Sequence, residues 1–153
     1  MPRPFLVATL ALGLATPLAA HANEAGEAAV KARQSLMTLI AYNLGPMALM
    51  AQGRMEYDAE VAQNAADNLY TLTRQSQERL WPEGTAHGEM EGTDARPAIW
   101  DELEEFSNRF SDLQDASAAT REAAGDDLAS LQGALSTLGG ACRNCHEQFR
   151  VTD

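Results

Sequence analysis

The segment LASLQGALSTLGGACRNCHEQFR, residues 128–150, carries the clearest periodicity in the chain. Leu128, Leu131, Leu135, Leu138, Cys142, Cys145 and Phe149 follow one another at steps of three or four. That spacing puts all of them on one side of an α-helix, the core-facing seam of a bundle. The two cysteines belong to the seam. At i and i+3 their thiols share a face, and the next residue, His146, projects about 100° further round the axis.

Working outward from this helix, the rest of the chain repeats the pattern. A first helix is predicted from about Glu24 to Gln52, with Val30, Arg33, Met37, Ile40, Leu44, Met47 and Ala51 as its seam. Pro46 lies inside it, which predicts a bend near Tyr42 to Gly45. A second is predicted from Asp58, a suitable N-cap, to Leu80, along Val61, Ala65, Leu69, Leu72 and Leu80. Pro82 and Gly84 end it, and the glycine-bearing stretch from Trp81 to Ala95 reads as one long connection. Pro97 suits the first turn of a third helix, whose seam is Ile99, Leu103, Phe106, Phe110 and Leu113. The last helix begins between Thr120 and Asp127. Two short connections and one long one make this an all-α protein, an antiparallel four-helix bundle of up-down-up-down topology.

The chain of 153 residues is long enough for one domain. Met1 to Ala22 stands apart from it: Arg3, an apolar run from Phe5 to Ala15, and the A-x-A site Ala20-His21-Ala22 read as a cleaved signal peptide. Residues 23–153 form the mature domain, which points to export and, in a bacterium, to the periplasm. The apolar run is too short to span a bilayer, and no later segment is apolar enough. Removal of the leader takes the formal charge from −11 to −12. Such an anionic surface excludes nucleic acid and anionic lipid as natural partners, and favours a basic patch on a protein partner no more than it favours simple solubility.

An exported chain with two cysteines suggests a disulfide. However, Cys142-Arg143-Asn144-Cys145-His146 is C-x-x-C-H, the attachment signature of a c-type haem. Two thiols on one helix face can bond the two vinyl groups along one haem edge, while the following imidazole meets the iron. A thioredoxin-like pair would need a βαβ setting, and no strand pattern is present. Zinc would need two further ligands, and the mature chain offers one spare histidine, His87, in a glycine-rich loop where an exposed, inert role is expected. Gly139-Gly140, each costing about 1 kcal/mol in a helix interior against alanine, offers bare backbone for close approach of a flat macrocycle.

At this point the sequence closely resembles the class II c-type cytochromes, the cytochrome c′ and c-556 group, over nearly all of the mature chain. The residues that carry the resemblance are Leu138 to Arg150, Leu80-Trp81-Pro82-Glu83-Gly84-Thr85, Ala98-Ile99-Trp100 and Ala32-Arg33-Gln34. It implies one covalent haem c per chain, with Cys142 and Cys145 as thioether donors and His146 as the proximal iron ligand. The residue four after the first-helix arginine faces the other side of the haem in this family; here it is Met37. Periodicity also turns Met37 inward, as a gap-filling core methionine or as a soft thioether ligand that raises the potential. The resemblance favours the ligand. Met47, Met50 and Met55 lie too far along the helix from Arg33 for that role.

Arg33 and Arg150 are candidates for the haem propionates, because guanidinium forks match carboxylates, or for orienting the groups around the cofactor. Arg150 is also explained as a solvated terminal residue. Arg33 on an apolar seam calls for a buried carboxylate partner. Trp81 and Trp100 are expected to pack. Together these readings point to a non-enzymatic one-electron carrier with an unidentified redox partner. The cytochrome c′ branch implies the alternative, a five-coordinate protein that binds nitric oxide or carbon monoxide. A peroxidase would want a distal acid–base group, and the first helix offers none near Met37. The resemblance also implies a homodimer through the first two helices.

Overall fold

The computed structural model describes residues 18–152, and within 18–20 the backbone alone. Residues 1–17, most of the expected signal peptide, lie outside the described residues; its last residues open the first helix. Five helical segments are present: α1 (Leu18–Ala51), α2 (Ala59–Thr73), α3 (Ala98–Asp101), α4 (Leu103–Ala123) and α5 (Leu128–Phe149). The neighbours α1·α2, α2·α4, α4·α5 and α5·α1 close a ring, and α3 is a single turn leading into α4. This is the expected four-helix bundle.

The helix starts are chemically explicit. The Asp58 carboxylate accepts from the backbone N–H groups of Glu60 and Val61 at 3.0 Å each, and that of Asp127 accepts from Ser130 N–H at 2.8 Å. Each satisfies donors that the first turn leaves open. Pro46 is contained within α1, which runs through it without interruption.

Two expectations are corrected. The second helix stops at Thr73, seven residues short of Leu80. Between Leu72 and Leu80 the chain reads Thr-Arg-Gln-Ser-Gln-Glu-Arg, with no apolar seam residue to bury, so packing cannot support further turns. The third helix is broken at Glu102, whose φ of −125° and ψ of 46° are non-helical. Two seam assignments fail with these: Leu103 is 60% exposed and Val61 39%. The buried face of α2 is instead Ala62, Ala65, Ala66, Leu69 and Thr73.

Side chains pack in two clusters. One holds Ile40, Met47, Met50, Leu69, Leu131 and Leu138. The other, at the opposite end, holds Ala95, Ile99, Phe106, Phe110 and Phe149. Met47 and Met50 are fully buried, whereas Met55 is exposed. The aromatic rings meet edge to face, with Phe106 centred 4.8 Å from Trp81 and 5.1 Å from both Phe110 and Phe149, the geometry their quadrupoles favour. Met37 packs against both clusters.

The long connection, 74–97, folds back over the aromatic end. Its backbone joins the chain terminus: Arg96 N–H donates to Phe149 C=O at 2.9 Å, and Val151 N–H to Asp94 C=O at 2.8 Å. Gly84, Gly88 and Gly92 turn it with φ of 79°, 87° and 74°, values that side chains rarely adopt.

Candidate cofactor cleft

Between α1, α4, α5 and the long connection lies a cleft with two lobes. The larger is about 510 Å³ and the smaller about 170 Å³. Met37, Ala41, Phe110, Cys145 and His146 wall both lobes. The larger adds Arg33, Trp81, Thr93 and Arg150; the smaller adds Ile40, Leu44, Arg109, Leu113 and Cys142. The helix seams dictate this convergence. Met37 comes from the inward face of α1, Phe110 from that of α4, and Cys142 and Cys145 from that of α5.

Arg33, Met37, Cys142, Cys145, His146 and Arg150 therefore line one cleft, whereas Gly139 and Gly140 wall neither lobe. Cys142 and Cys145 are half-buried and unbridged. Burial raises both thiols; that of Cys145 reaches about 11, with the neighbouring Cys142 adding to the rise and the Arg109 guanidinium opposing it. The His146 imidazole is lowered, by partial burial first and by the Arg150 cation second. That shift favours the neutral imidazole, the form that ligates a metal. The residue as a whole is exposed at the cleft wall. Among the described residues, no three His, Cys, Asp or Glu side chains gather to hold a bare metal ion.

Arg33 departs from expectation. It is 4% exposed, yet its partners are neutral. Nη1 donates to Thr85 Oγ1 at 2.9 Å and Leu80 C=O at 3.2 Å; Nη2 donates to Thr85 C=O and Thr93 Oγ1, both at 2.7 Å. The guanidinium carbon lies 4.5 Å from the centre of the Trp81 ring, a cation–π contact. No carboxylate among the described residues pairs with it. The physical reason is that turn carbonyls and hydroxyls of the long connection supply the negative ends of dipoles, enough to solvate the charge without an ion partner. Burial lowers its pKa. Arg150 sits just beyond α5, its guanidinium exposed and 3.5 Å from Asp94.

Trp81 and Trp100 pack as expected, the Trp100 Nε1–H donating to Trp81 C=O at 3.1 Å. His87 is exposed, with Nδ1 3.0 Å from Thr93 C=O. A Cβ built on Gly139 or Gly140 meets nothing within 4 Å, so α5 leaves open space beside the cysteines. Three participants escape the sequence pattern. Thr85 and Thr93, in the long connection, carry no periodic signal. Arg109, which lines the smaller lobe, stands three residues after Phe106 and four before Leu113, at the edge of a seam the spacing already marks.

The donor set fits a haem. A thioether and a neutral imidazole share the same cleft walls, and the thiol pair stands beside the imidazole, as an axially ligated, covalently held haem needs. The lobes together fall in the size range of cofactor sites. Arg109 Nε is buried without a hydrogen-bond partner among the described residues, as expected of a group whose neighbour is not a protein atom.

A family sequence model described as cytochrome c′ matches residues 28–150. A cytochrome c-554 of Cereibacter sphaeroides is 43% identical over 152 residues, 99% of each chain. A solved Rhodobacter cytochrome c′ superposes with a TM-score of 0.82 at 38% identity, covering 84% of this chain and 98% of its own. A nitric oxide complex of a mutant cytochrome c prime from Alcaligenes xylosoxidans superposes with a TM-score of 0.73 at 34% identity, covering 83% and 97%.

Proposed function

The chain belongs to the cytochrome c′ family, and on that premise we propose that it is a periplasmic one-electron carrier with a six-coordinate, low-spin haem c. One observation carries the reading: Met37 of α1 and His146 of α5 wall both lobes of a single cleft. When bound, haem c supplies the ferric/ferrous couple. Cys142 and Cys145 would hold it by thioether bonds, with His146 as its proximal and Met37 as its distal ligand. Arg33 and Arg150 both line the larger lobe and would serve the propionates, Arg150 with its exposed fork and Arg33 with Nε–H alone, because its terminal N–H groups are given to Leu80, Thr85 and Thr93. The thioether of Met37 favours the ferrous state and so a higher potential. The apolar walls from Ile40, Leu44, Phe110 and Leu113 keep water from the iron.

Export follows from the leader, cleaved after Ala22, which makes 23–153 the working domain. No described helix is long and apolar enough to cross a membrane. Homodimer formation through α1 and α2 is supported by their outer surface, where Leu39, Tyr42 and Val61 are exposed. The visible spectrum of purified protein in both oxidation states, with and without carbon monoxide, tests the reading. Low-spin ferrous iron that is slow to take carbon monoxide is expected; a five-coordinate, high-spin ferrous spectrum would overturn it. That second outcome is the signature of the gas-binding reading, which the nitric oxide complex of a 34%-identical relative supports.

A further inference from the structure

Arg109 belongs to α4, away from the C-x-x-C-H motif and from the first-helix arginine, yet it lines the smaller lobe beside Cys142, Cys145, His146 and Met37. Its terminal nitrogens are held from both sides along the helix. Nη2 lies 2.5 Å from a Glu105 carboxylate oxygen and Nη1 3.3 Å from one of Asp112. These are the i−4 and i+3 positions, where a helix brings side chains together. The ties fix the guanidinium plane and leave Nε turned inward, buried and without a partner among the described residues. A buried N–H left unmatched is costly, so the arrangement is incomplete until something fills the lobe.

We infer that Arg109 is a positioning residue for the redox chemistry: a cation anchored by Glu105 and Asp112 at the cofactor's edge, which favours the ferrous state of the haem and raises its potential. The inference rests on the proposed occupation of the cleft by haem. Its physical basis is Coulombic. Reduction adds one negative charge to the cofactor. A fixed cation inside a partly water-excluded cleft interacts with that charge more strongly than one in bulk water. Glu105 and Asp112 lie on the outer side, 39% and 54% exposed, so solvent screens their opposing effect more than it screens Arg109.

The test is potentiometric titration of the holoprotein followed by its visible spectrum. Arg109→Gln should shift the ferric/ferrous ratio at a fixed applied potential toward ferric by about tenfold, which is ~59 mV for a one-electron couple. Arg109→Lys should recover most of the shift. Glu105→Gln should move the ratio the other way, toward ferrous. Thermal unfolding of each variant separates charge from fold: the Gln and Lys forms should unfold at similar temperatures while their potentials differ. If Arg109→Gln binds haem and its potential matches wild type, the inference fails. It fails equally if Arg109→Lys shifts as far as Arg109→Gln. Should Arg109→Gln not fold, Glu105→Gln decides alone, and an unchanged or lowered potential overturns the idea. Wild-type protein that carries no haem at all refutes the functional reading instead.

Discussion

Replacing Arg33 by methionine keeps much of the side-chain volume and removes the charge and every donor. Four oxygens lose their partner: those of Thr85 Oγ1, Thr85 C=O, Leu80 C=O and Thr93 Oγ1. The two hydroxyls keep other bonds, since Thr85 Oγ1 donates to Pro82 C=O at 2.8 Å and Thr93 Oγ1 accepts from Ala95 N–H at 3.2 Å. The two carbonyls are left without a donor in a region that water reaches poorly. Each unmatched acceptor costs about 1–3 kcal/mol. Removing a buried guanidinium returns part of that, because its own desolvation no longer opposes folding. The net loss should be about 3 kcal/mol, a large share of the 5–15 kcal/mol typical of a domain. For a domain of this size that corresponds to a fall in Tm of roughly 10 °C. Urea titration of the holoprotein, followed by circular dichroism at 222 nm, measures it directly, with an unchanged m-value showing that the two states are the same. Arg33→Lys should fall between the two, since a point charge cannot serve four oxygens. A methionine variant within about 1 kcal/mol of wild type would show that the long connection is not held by this side chain.

Met37→Leu should convert the resting iron to a five-coordinate, high-spin form, lower the reduction potential and speed carbon monoxide uptake; an unchanged optical spectrum would remove Met37 from the coordination shell. Asp127→Ala should lower the melting temperature at neutral pH, because Ser130 hydrogen bonds hold the Asp127 carboxyl below its usual range and favour its charged form. A depressed folded-state pKa stabilises above the unfolded value and loses that effect as pH falls through the folded one. The gap between wild type and variant should therefore narrow below about pH 4, and a gap that stays constant to pH 2.5 would contradict the cap. Tyr42, 77% exposed on α1, is the site at which Tyr42→Glu should turn a dimer into a monomer in sedimentation, with no change in the haem spectrum.

The fold is legible where periodicity and burial coincide. The seam of α5 predicts a helix whose Leu131, Leu138 and Phe149 are indeed buried, and the Asp58 cap marks its helix start correctly. It is illegible where tertiary context overrides spacing. Leu80 fits the α2 seam by number, but the polar run before it has nothing to bury. Leu103 keeps the α4 spacing and still is 60% exposed, at the first helical position after the break at Glu102. The site divides the same way. Met37, Arg33 and the C-x-x-C-H residues can be located from motif and seam, and all of them line the cleft. The partners of Arg33 cannot, since hydroxyls and carbonyls in a loop leave no pattern in sequence. Arg109 stands on a recognisable seam edge, but nothing in its spacing separates it from the surface charges around it.

The backbone bonds between the long connection and the end of α5 set an order of events. Asp94 and Arg96 find their backbone partners only at Val151 and Phe149, more than fifty residues later in the sequence. A polypeptide delivered amino end first presents Asp94 and Arg96 well before the residues that fasten them. Until then Arg33 holds Thr85 and Thr93 while the stretch around Ala95 lacks its ties to the end of α5. Closing this end of the bundle therefore waits for the end of α5, and a chain cut after Gln148 should remain ajar there.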